Sequence, residues 1–155
     1  MRLRALISAS TIALCAQPTL AAIVGECEGS LVSHILQNVD DSAYEKFANG
    51  AIRVADLHVD ANLASNVVVV VWHPRLSDLQ GAGYYQACSV VYSSKTESPY
   101  FGQVKLRNAE VDYDPIDGLK LSISTQYHFW NRDSEDGALV LTINQKAGYV
   151  EAVEK

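Results

Sequence analysis

Acidic residues at alternating positions make the segment from Asp112 to Gly118 the first place where this sequence could do chemistry. An EF-hand calcium loop requires acidic or amide ligands at positions 1, 3 and 5, a glycine at position 6 and a glutamate at position 12. In this segment the third acid stands at position 6, the glycine at position 7 and Ile123 at position 12. The spacing fails for calcium. The proline, aspartates and glycine predict a hairpin turn instead.

Histidine and aspartate side chains offer ligands for a transition metal. Asp56, His58 and Asp60 share one face of a predicted strand, and His73 or His128 could join them. The same alternation of polar residues is typical of any solvated strand face. We therefore expect no metal and no cofactor.

The short motifs of common hydrolases and nucleotide-binding enzymes do not occur in the chain. It contains no G-x-S-x-G, no H-E-x-x-H and no glycine-rich phosphate loop. A dispersed triad or a pair of carboxylates among the many serines and acids stays open. The sequence assigns no catalytic residue and favours a protein that is not an enzyme.

Aromatic residues interleaved with acids at predicted strand ends and turns indicate a surface that binds another protein. Rigid aromatic side chains rimmed by charge are typical of such surfaces, although aromatics are also common in ordinary strands. The candidate partner surface comprises Tyr100, Phe101, Tyr113, Trp130, Asp133, Glu135 and Asp136.

The beginning of the chain has the features of an export signal. Two arginines precede a short apolar stretch, Pro18 ends it, and small residues surround Ala21. We predict a signal peptide over residues 1–21 and a single globular domain over residues 22–155, in a bacterial periplasm or outside the cell. No later segment is apolar enough to span a bilayer, so we expect no membrane insertion after cleavage.

Net charge narrows the classes of partner. The chain has 12 basic and 18 acidic residues, a formal charge of −6, and loss of Arg2 and Arg4 with the signal peptide leaves −8. Such a surface repels nucleic acid and anionic lipid and attracts cations. We expect a cationic protein as partner and no nucleic acid. The oligomeric state stays open.

Two cysteines, Cys27 and Cys88, remain after residues 1–21. In an oxidising compartment such a pair forms a disulfide. A zinc site is disfavoured because the chain has no CxxC motif and two thiols supply only half of the usual ligands. We predict a Cys27–Cys88 bridge.

The hydrophobic period changes from helical to strand-like at Gly50. Before it, apolar residues recur at helical spacing over 28–39 and 42–50, and Ser42 with Glu45 has the spacing of a capping box. The five valines from Val67 to Val71 predict a central strand buried on both faces, which His73-Pro74-Arg75 should end. In all, strands are predicted over 52–59, 67–71, 84–92, 101–111, 119–130, 138–144 and 149–153.

Helices followed by hairpins predict an α+β fold. We expect an N-terminal helix or helical hairpin packed on a curved, mainly antiparallel sheet of about six or seven strands. This order resembles the cystatin-like and NTF2-like folds, in which a curved sheet cradles a helix. The resemblance covers the order of elements only and assigns no functional residue.

Together these features predict an exported, non-enzymatic binding protein, with an inhibitor or immunity factor for a cationic hydrolase as its specific form. The alternative is a small-ligand carrier or an enzyme with a pocket between the helix and the curved sheet. A structural component of the cell envelope is a third class. A deep pocket lined by histidine or aspartate favours the alternative, whereas an acidic, aromatic surface patch favours the first function.

Overall fold

Strands dominate the computed structural model, which describes residues 19–30, 33–36, 39–60, 65–77 and 83–155. The strands in these ranges are β1 Leu20–Ala21, β2 Ile23–Glu26, β3 Glu45–Phe47, β4 Ile52–His58, β5 Val67–Leu76, β6 Tyr84–Tyr92, β7 Gln103–Val104, β8 Glu110–Asp114, β9 Gly118–Tyr127, β10 Glu135–Asn144 and β11 Tyr149–Glu154. The helical elements are the α-helix α1 Ser33–Leu36 and 3-10 turns at Asp41–Ala43, Ala48–Gly50 and Leu106–Asn108.

The strands form two antiparallel sheets packed face to face as a sandwich. The six-stranded sheet has the order β1-β11-β10-β9-β7, and β8 also pairs with β9. The five-stranded sheet has the order β2-β6-β5-β4-β3. The predicted α+β fold is therefore wrong. Within the described ranges no helix reaches seven residues, and no N-terminal helix packs on a single curved sheet.

The first predicted helix, over residues 28–39, is reduced to the single turn of α1 in the part that the structure describes. Residues 31–32 and 37–38, which belonged to that prediction, lie outside the described residues. Ile35, Leu36 and Val39 nevertheless pack against the outer face of the five-stranded sheet. The helical spacing therefore identified apolar residues that are partly buried, but not a long helix.

The second predicted helix, over residues 42–50, is replaced by a turn, a strand and a second turn. Strand β3 pairs with β4, with Phe47 opposite Ile52. Asn49 and Gly50 have φ angles of 56° and 85°, which reverse the chain between the two strands. Pairing with a neighbouring strand outweighs a helical preference that is worth only tenths of a kcal/mol per residue.

The valine run is buried on both faces, as predicted. Val69 faces the core between the two sheets, whereas Val68 and Val70 face a second apolar cluster on the outer side of the five-stranded sheet. The core between the sheets is completed from the six-stranded sheet by Leu119, Leu121, Ile123, Tyr127, Leu139, Leu141 and Ile143. Each buried aliphatic side chain contributes about 1.5–3 kcal/mol to folding.

The Cys27–Cys88 disulfide is present, with its Cα atoms 5.4 Å apart, so this prediction is confirmed. The Cys27 N–H also donates to the Cys88 carbonyl at 3.1 Å. Both cysteines belong to the second apolar cluster, together with Tyr44 and Trp72, whose ring centroids lie 4.6 Å apart. The disulfide therefore fixes the chain that covers the outer face of the five-stranded sheet.

Several strand boundaries differ from the prediction. The strand predicted over 119–130 ends at Tyr127, and the one predicted over 138–144 begins at Glu135. Strand β5 continues through Pro74 to Leu76 instead of ending at His73. Pro74 is tolerated because β4 pairs with β5 only as far as Trp72, so the proline needs no hydrogen bond on that side. The predicted strand over 101–111 is broken into a bridge, β7, a 3-10 turn and the start of β8.

The predicted cleavage site of the signal peptide coincides with β1. Leu20 pairs with Glu154 and Ala21 with Val153 at the edge of the six-stranded sheet. Cleavage after Ala21 would remove this two-residue strand and leave every other strand pair of the described chain intact. Among the described residues, no helix has the length and apolar character needed to cross a membrane.

Candidate functional site

A groove opens beside the predicted partner surface, at the end of β9. It has a volume of about 470 Å³ and is lined by Ser65, Asn66, Ser98, Tyr100, His128, Phe129 and Trp130. These seven residues are called the aromatic groove below. Three are aromatic, and the others supply hydroxyl, amide and imidazole groups. This mixture of apolar walls and a few polar groups is typical of a binding site.

The His128 ring closes the loop of residues 128–134 that joins β9 to β10. Its Nδ1 lies 2.6 Å from the hydroxyl oxygen of Ser134, at the other end of the loop. The ring is pressed against Gly102, whose N–H donates to the Gln126 carbonyl at 2.7 Å. A Cβ atom at Gly102 would overlap the ring. The glycine is therefore what allows His128 to lie against the backbone here.

Arg132 ties the same loop together from its other side. Its guanidinium forms an ion pair of 2.7 Å with Glu135 and lies 3.6 Å from the centroid of the Phe129 ring. Trp130 stands beside this stack and is 81% exposed. The bonds within the loop restrain the backbone that carries Trp130, which lowers the cost of ordering the loop when a partner binds.

Tyr100 forms part of the opposite wall and is positioned by the residue that follows it. Phe101 exchanges two backbone hydrogen bonds with Val67, of 2.8 and 2.9 Å. Its side chain is fully buried between the sheets, with its ring centroid 6.0 Å from that of Tyr127. Successive side chains of an extended chain point to opposite sides. Burial of Phe101 therefore directs Tyr100 to the other side, where it packs against the second apolar cluster and also lines the groove.

The acids next to the groove are all exposed but differ in their contacts. Glu135 is paired with Arg132, and Asp136 accepts a hydrogen bond of 3.2 Å from the side chain of Gln126. Asp133 has no ion pair within the described part of the chain. Lys95 and Lys155 line a hollow together with Glu135 and Asp136, so Asp133 is the carboxylate most available to a cation.

The predicted partner surface is only partly assembled by the fold. Tyr100, Trp130 and the three acids lie at one end of the sandwich. Phe101 is buried, so it supports the surface without being part of it. Tyr113 pairs with Leu119, at the other end of β9. Tyr127 lies eight positions after Leu119, which corresponds to about 26 Å of strand.

The sequence did not identify the remaining groove residues. His128 and Phe129 adjoin Trp130, and their position at the end of a predicted strand was the available signal. Ser65, Asn66 and Ser98 carried no local signal, because their position depends on the bridge between Val67 and Phe101.

His128 and Ser134 satisfy one requirement for an activated serine, a hydroxyl within hydrogen-bonding distance of an imidazole. A further group that orients the histidine is the second requirement. Among the residues that the structure describes, no carboxylate hydrogen-bonds to His128. The pair closes a loop, and the geometry gives it no catalytic role.

The turn that resembled a calcium loop is a hairpin turn, as predicted. Asp114 Oδ1 accepts hydrogen bonds from the N–H groups of Ile116 at 2.7 Å and Asp117 at 2.9 Å. These bonds hold the pKa of Asp114 below its ordinary value. Asp117 is paired with Lys120 at 2.8 Å. The carboxylates are thus used to build the turn.

Asp56, His58 and Asp60 do not gather into a metal site. Asp56 faces a hollow at the seam between the sheets, and burial raises its pKa. His58 is exposed. Over the described ranges there is no group of three histidine, cysteine, aspartate or glutamate side chains that could hold a metal ion.

Glu154 and Tyr127 are buried ionisable groups at the same end of the sandwich as the groove. Glu154 accepts a hydrogen bond of 2.8 Å from the Ser94 N–H and one of 3.4 Å from the Ser93 hydroxyl. Burial raises the pKa of Glu154, and it raises the pKa of Tyr127 to about 12. Both side chains are enclosed by the fold, so a partner cannot reach them directly.

Comparisons of the chain with models of protein families, with curated proteins and with solved structures gave no match. The disulfide indicates an oxidising compartment. The groove, the acids near it and the net charge are therefore the features that bear on function.

Proposed function

We propose that the mature chain is an exported, non-enzymatic binding protein that holds a cationic protein at the aromatic groove. An inhibitor or immunity factor for a cationic hydrolase is the specific form of this function. The observation that carries the proposal is the exposure of Trp130 on a loop bonded by Arg132 and His128, beside Tyr100. Aromatic side chains of this kind are the commonest energetic anchors of protein interfaces.

Charge supports a cationic partner. The formal charge is −8 after loss of residues 1–21, and Asp133, Glu135 and Asp136 follow Trp130 within six residues along the chain. Negative charge on this scale steers a positive protein toward the surface and raises the association rate. The aromatic side chains then slow dissociation, because they are desolvated in the complex. Charge and aromatic contact therefore act on different rate constants.

Export into a periplasm or the extracellular medium agrees with the features of residues 1–21 and with the disulfide. Its test is the N-terminus of the soluble product. We expect the mature protein to begin at Ala22 or Ile23, and a product that retains Met1 would end the proposal of export.

The binding proposal is tested by capturing partners with the mature protein and then measuring both rate constants for each captured protein. Trp130→Ala should raise the dissociation rate about 30-fold, the equivalent of about 2 kcal/mol, with little change in salt dependence. Reversal of Asp133, Glu135 and Asp136 to lysine should slow association. Raising salt from about 0.05 to 0.5 M should also slow it, because screening shortens the range of the field.

A matched control separates the local acids from the overall charge. Reversal of Glu110, Asp112 and the exposed Glu151 changes the net charge equally but acts toward the far end of β9. It should slow association less than reversal of the groove acids does. Equal effects would show that the groove acids have no special part. An association rate that ignores salt and both reversals would refute the electrostatic argument.

A small ligand is the second candidate for the groove, because its volume of about 470 Å³ lies within the usual range for ligand sites. The pocket expected between a helix and a curved sheet does not exist in this fold. Other hollows of the described residues have similar volumes, and the aromatic groove carries this alternative because three aromatic side chains line it. Acrylamide quenching of Trp130 fluorescence tests this alternative. The small-ligand function would be favoured if a small molecule from a growth extract protects Trp130 from quenching and no protein does so. Trp72→Phe removes the second indole signal for this measurement.

A further inference from the structure

Strand β8 is a sheet edge that is exposed on both faces. Its residues Glu110, Val111, Asp112 and Tyr113 are all exposed. In the described part of the chain, β8 pairs with β9 alone, so the backbone along its other side has no neighbouring strand. An open edge of this kind is a template for pairing with another chain.

One face of β8 is apolar and continues the core of the sandwich. Val111 lies opposite Leu121 and Tyr113 opposite Leu119, and both leucines are buried between the sheets. Opposed residues of an antiparallel pair project from the same face. Val111 is nonetheless 57% exposed and Tyr113 66% exposed. The five-stranded sheet therefore stops short of β8 and leaves this part of the core face uncovered.

The other face of β8 is acidic. Glu110 lies opposite Ser122, and Asp112 lies opposite Lys120. The ammonium of Lys120 is engaged by Asp117 at 2.8 Å instead. Within the described ranges neither Glu110 nor Asp112 has an ion pair, so both carboxylates are available to an incoming cation.

Asp112 also controls the backbone of the edge. Its Oδ1 accepts the N–H of Tyr113 at 2.8 Å. A strand that docks here must offer a carbonyl to this N–H, and it must also satisfy the carboxylate it displaces. A lysine or arginine on the incoming strand does so, whereas a neutral strand does not. Asp112 therefore selects for cationic strands.

We infer that β8 is a docking edge for an extended basic segment of another protein, in which lysine or arginine alternates with apolar residues. The segment adds to the six-stranded sheet as a further strand. Its basic residues face Glu110 and Asp112, and its apolar residues cover Val111 and Tyr113. A second copy of this chain fits poorly, because pairing two β8 strands brings like charges together.

The inference does not rest on the proposed function. Tyr113 lies about 26 Å along β9 from the end that carries the aromatic groove. A segment of five or six residues bound at β8 cannot reach Trp130 while it is paired along the edge. Trp130→Ala should therefore leave binding at β8 unchanged. If one of the two surfaces proves not to bind a partner, the proposal for the other surface still stands.

The test uses three capped hexapeptides and the isotope-labelled mature protein. The first alternates lysine and valine, the second replaces lysine by glutamate, and the third has three lysines followed by three valines. We expect the first to shift backbone amide signals of Glu110–Asp114 and of the facing part of β9. The third peptide has the same composition as the first but groups its lysines and its valines into two blocks. It should bind at least 10-fold more weakly than the first. The glutamate peptide should not bind.

Two conservative variants with matched controls locate the contacts. Asp112→Asn keeps an oxygen for the Tyr113 N–H but removes the charge, and it should weaken the alternating peptide about 10-fold. Asp133→Asn removes the same charge at the other end of β9 and should change binding less than 2-fold. Tyr113→Ala should weaken binding about 5-fold, whereas Tyr84→Ala, which removes a tyrosine of similar exposure on β6, should not.

Three results would overturn the inference. The first is no binding of the alternating peptide. The second is that the third peptide, with its lysines and valines in two blocks, binds as tightly as the alternating peptide. This would show adsorption of positive charge on an acidic protein. The third is a set of amide shifts that avoids β8. Because Asp112→Asn and Tyr113→Ala alter exposed side chains, both variants should fold, and their amide spectra check this directly.

Discussion

Removal of the Cys27–Cys88 disulfide should lower the stability of the protein by about 4 kcal/mol. The two cysteines are 61 residues apart in sequence. A loop of this length removes about 14 cal/mol/K of entropy from the unfolded chain, which is about 4 kcal/mol at 25 °C. That is a large share of the 5–15 kcal/mol by which a domain of this kind is stable.

Urea unfolding of the oxidised and the reduced protein measures this effect. With an m value of about 1.5 kcal/mol/M, a loss of 4 kcal/mol lowers the midpoint by roughly 2.5–3 M. Reduction keeps both sulfur atoms in the second apolar cluster, so it isolates loop closure from packing. The Cys27→Ala, Cys88→Ala variant should lose at least as much, and reductant should have no further effect on it.

Native contacts near the disulfide do not replace its effect on the unfolded chain. Cys27 also bonds to Cys88 through its backbone N–H at 3.1 Å, and β2 pairs with β6 over four residues. In the entropy model these native contacts do not reduce the loss, because the disulfide acts on the unfolded chain, so a midpoint that falls by less than about 0.5 M would contradict the model. That outcome would show that the unfolded chain is not restricted by the disulfide as the entropy model assumes.

Three further substitutions test the core and its ionisable groups. Val69→Asp should prevent folding, because it leaves an unpaired charge in a strand buried on both faces at a cost of several kcal/mol; soluble, folded variant would contradict this. Tyr127→Phe should raise stability by about 1 kcal/mol, since the buried hydroxyl lies near the Thr125 hydroxyl and neither group has a well-formed hydrogen bond among the described residues; a fall in the thermal midpoint would show that the two hydroxyls stabilise the fold. Burial lowers the pKa of His73 below its ordinary value of 6.5, so its contribution is complete above pH 6.5 and is lost as pH falls toward the folded pKa. The free energy of unfolding of the wild type should therefore fall below pH 6.5, by at most about 1.4 kcal/mol per pH unit, relative to His73→Gln; parallel curves would contradict this.

The sequence predicted the strands whose signal is local. Residues 84–92 place apolar side chains on one strand face, the valine run is a continuous stretch of β-branched residues, and both are strands. The disulfide was also predictable, because only two cysteines remain after the signal peptide. These features need no knowledge of which elements meet in space.

The fold class failed because its signal was not local. The spacing of Ser42 and Glu45 is compatible with a helix start, but it is also compatible with a turn followed by β3. Alternation along β9 shows that one face is buried and does not say whether a helix or a second sheet covers it. The choice depends on long-range pairing, such as that of β2 with β6, which periodicity does not contain.

The candidate site divides in the same way. Trp130 and Tyr100 were identified by residue type and by their position at strand ends, which are properties of the sequence. The burial of Phe101 and the distant position of Tyr113 follow from the bridge to Val67 and from the register of β8 with β9. An aromatic residue at a strand end can anchor a core or a partner, and only the fold decides which.

Strand β9 connects the two proposed surfaces, and this constrains any partner that uses both. One lies on the edge strand beside its first residues and the other on the loop after its last, about 26 Å apart. A partner with a basic arm at β8 and a positive surface at the groove needs a linker of at least about eight extended residues between them. Attachment at both surfaces should raise the overall affinity of such a partner. Shortening the linker should abolish this increase and leave the affinity of each surface by itself unchanged. If the increase in affinity persists at every linker length, the basic arm binds somewhere other than β8.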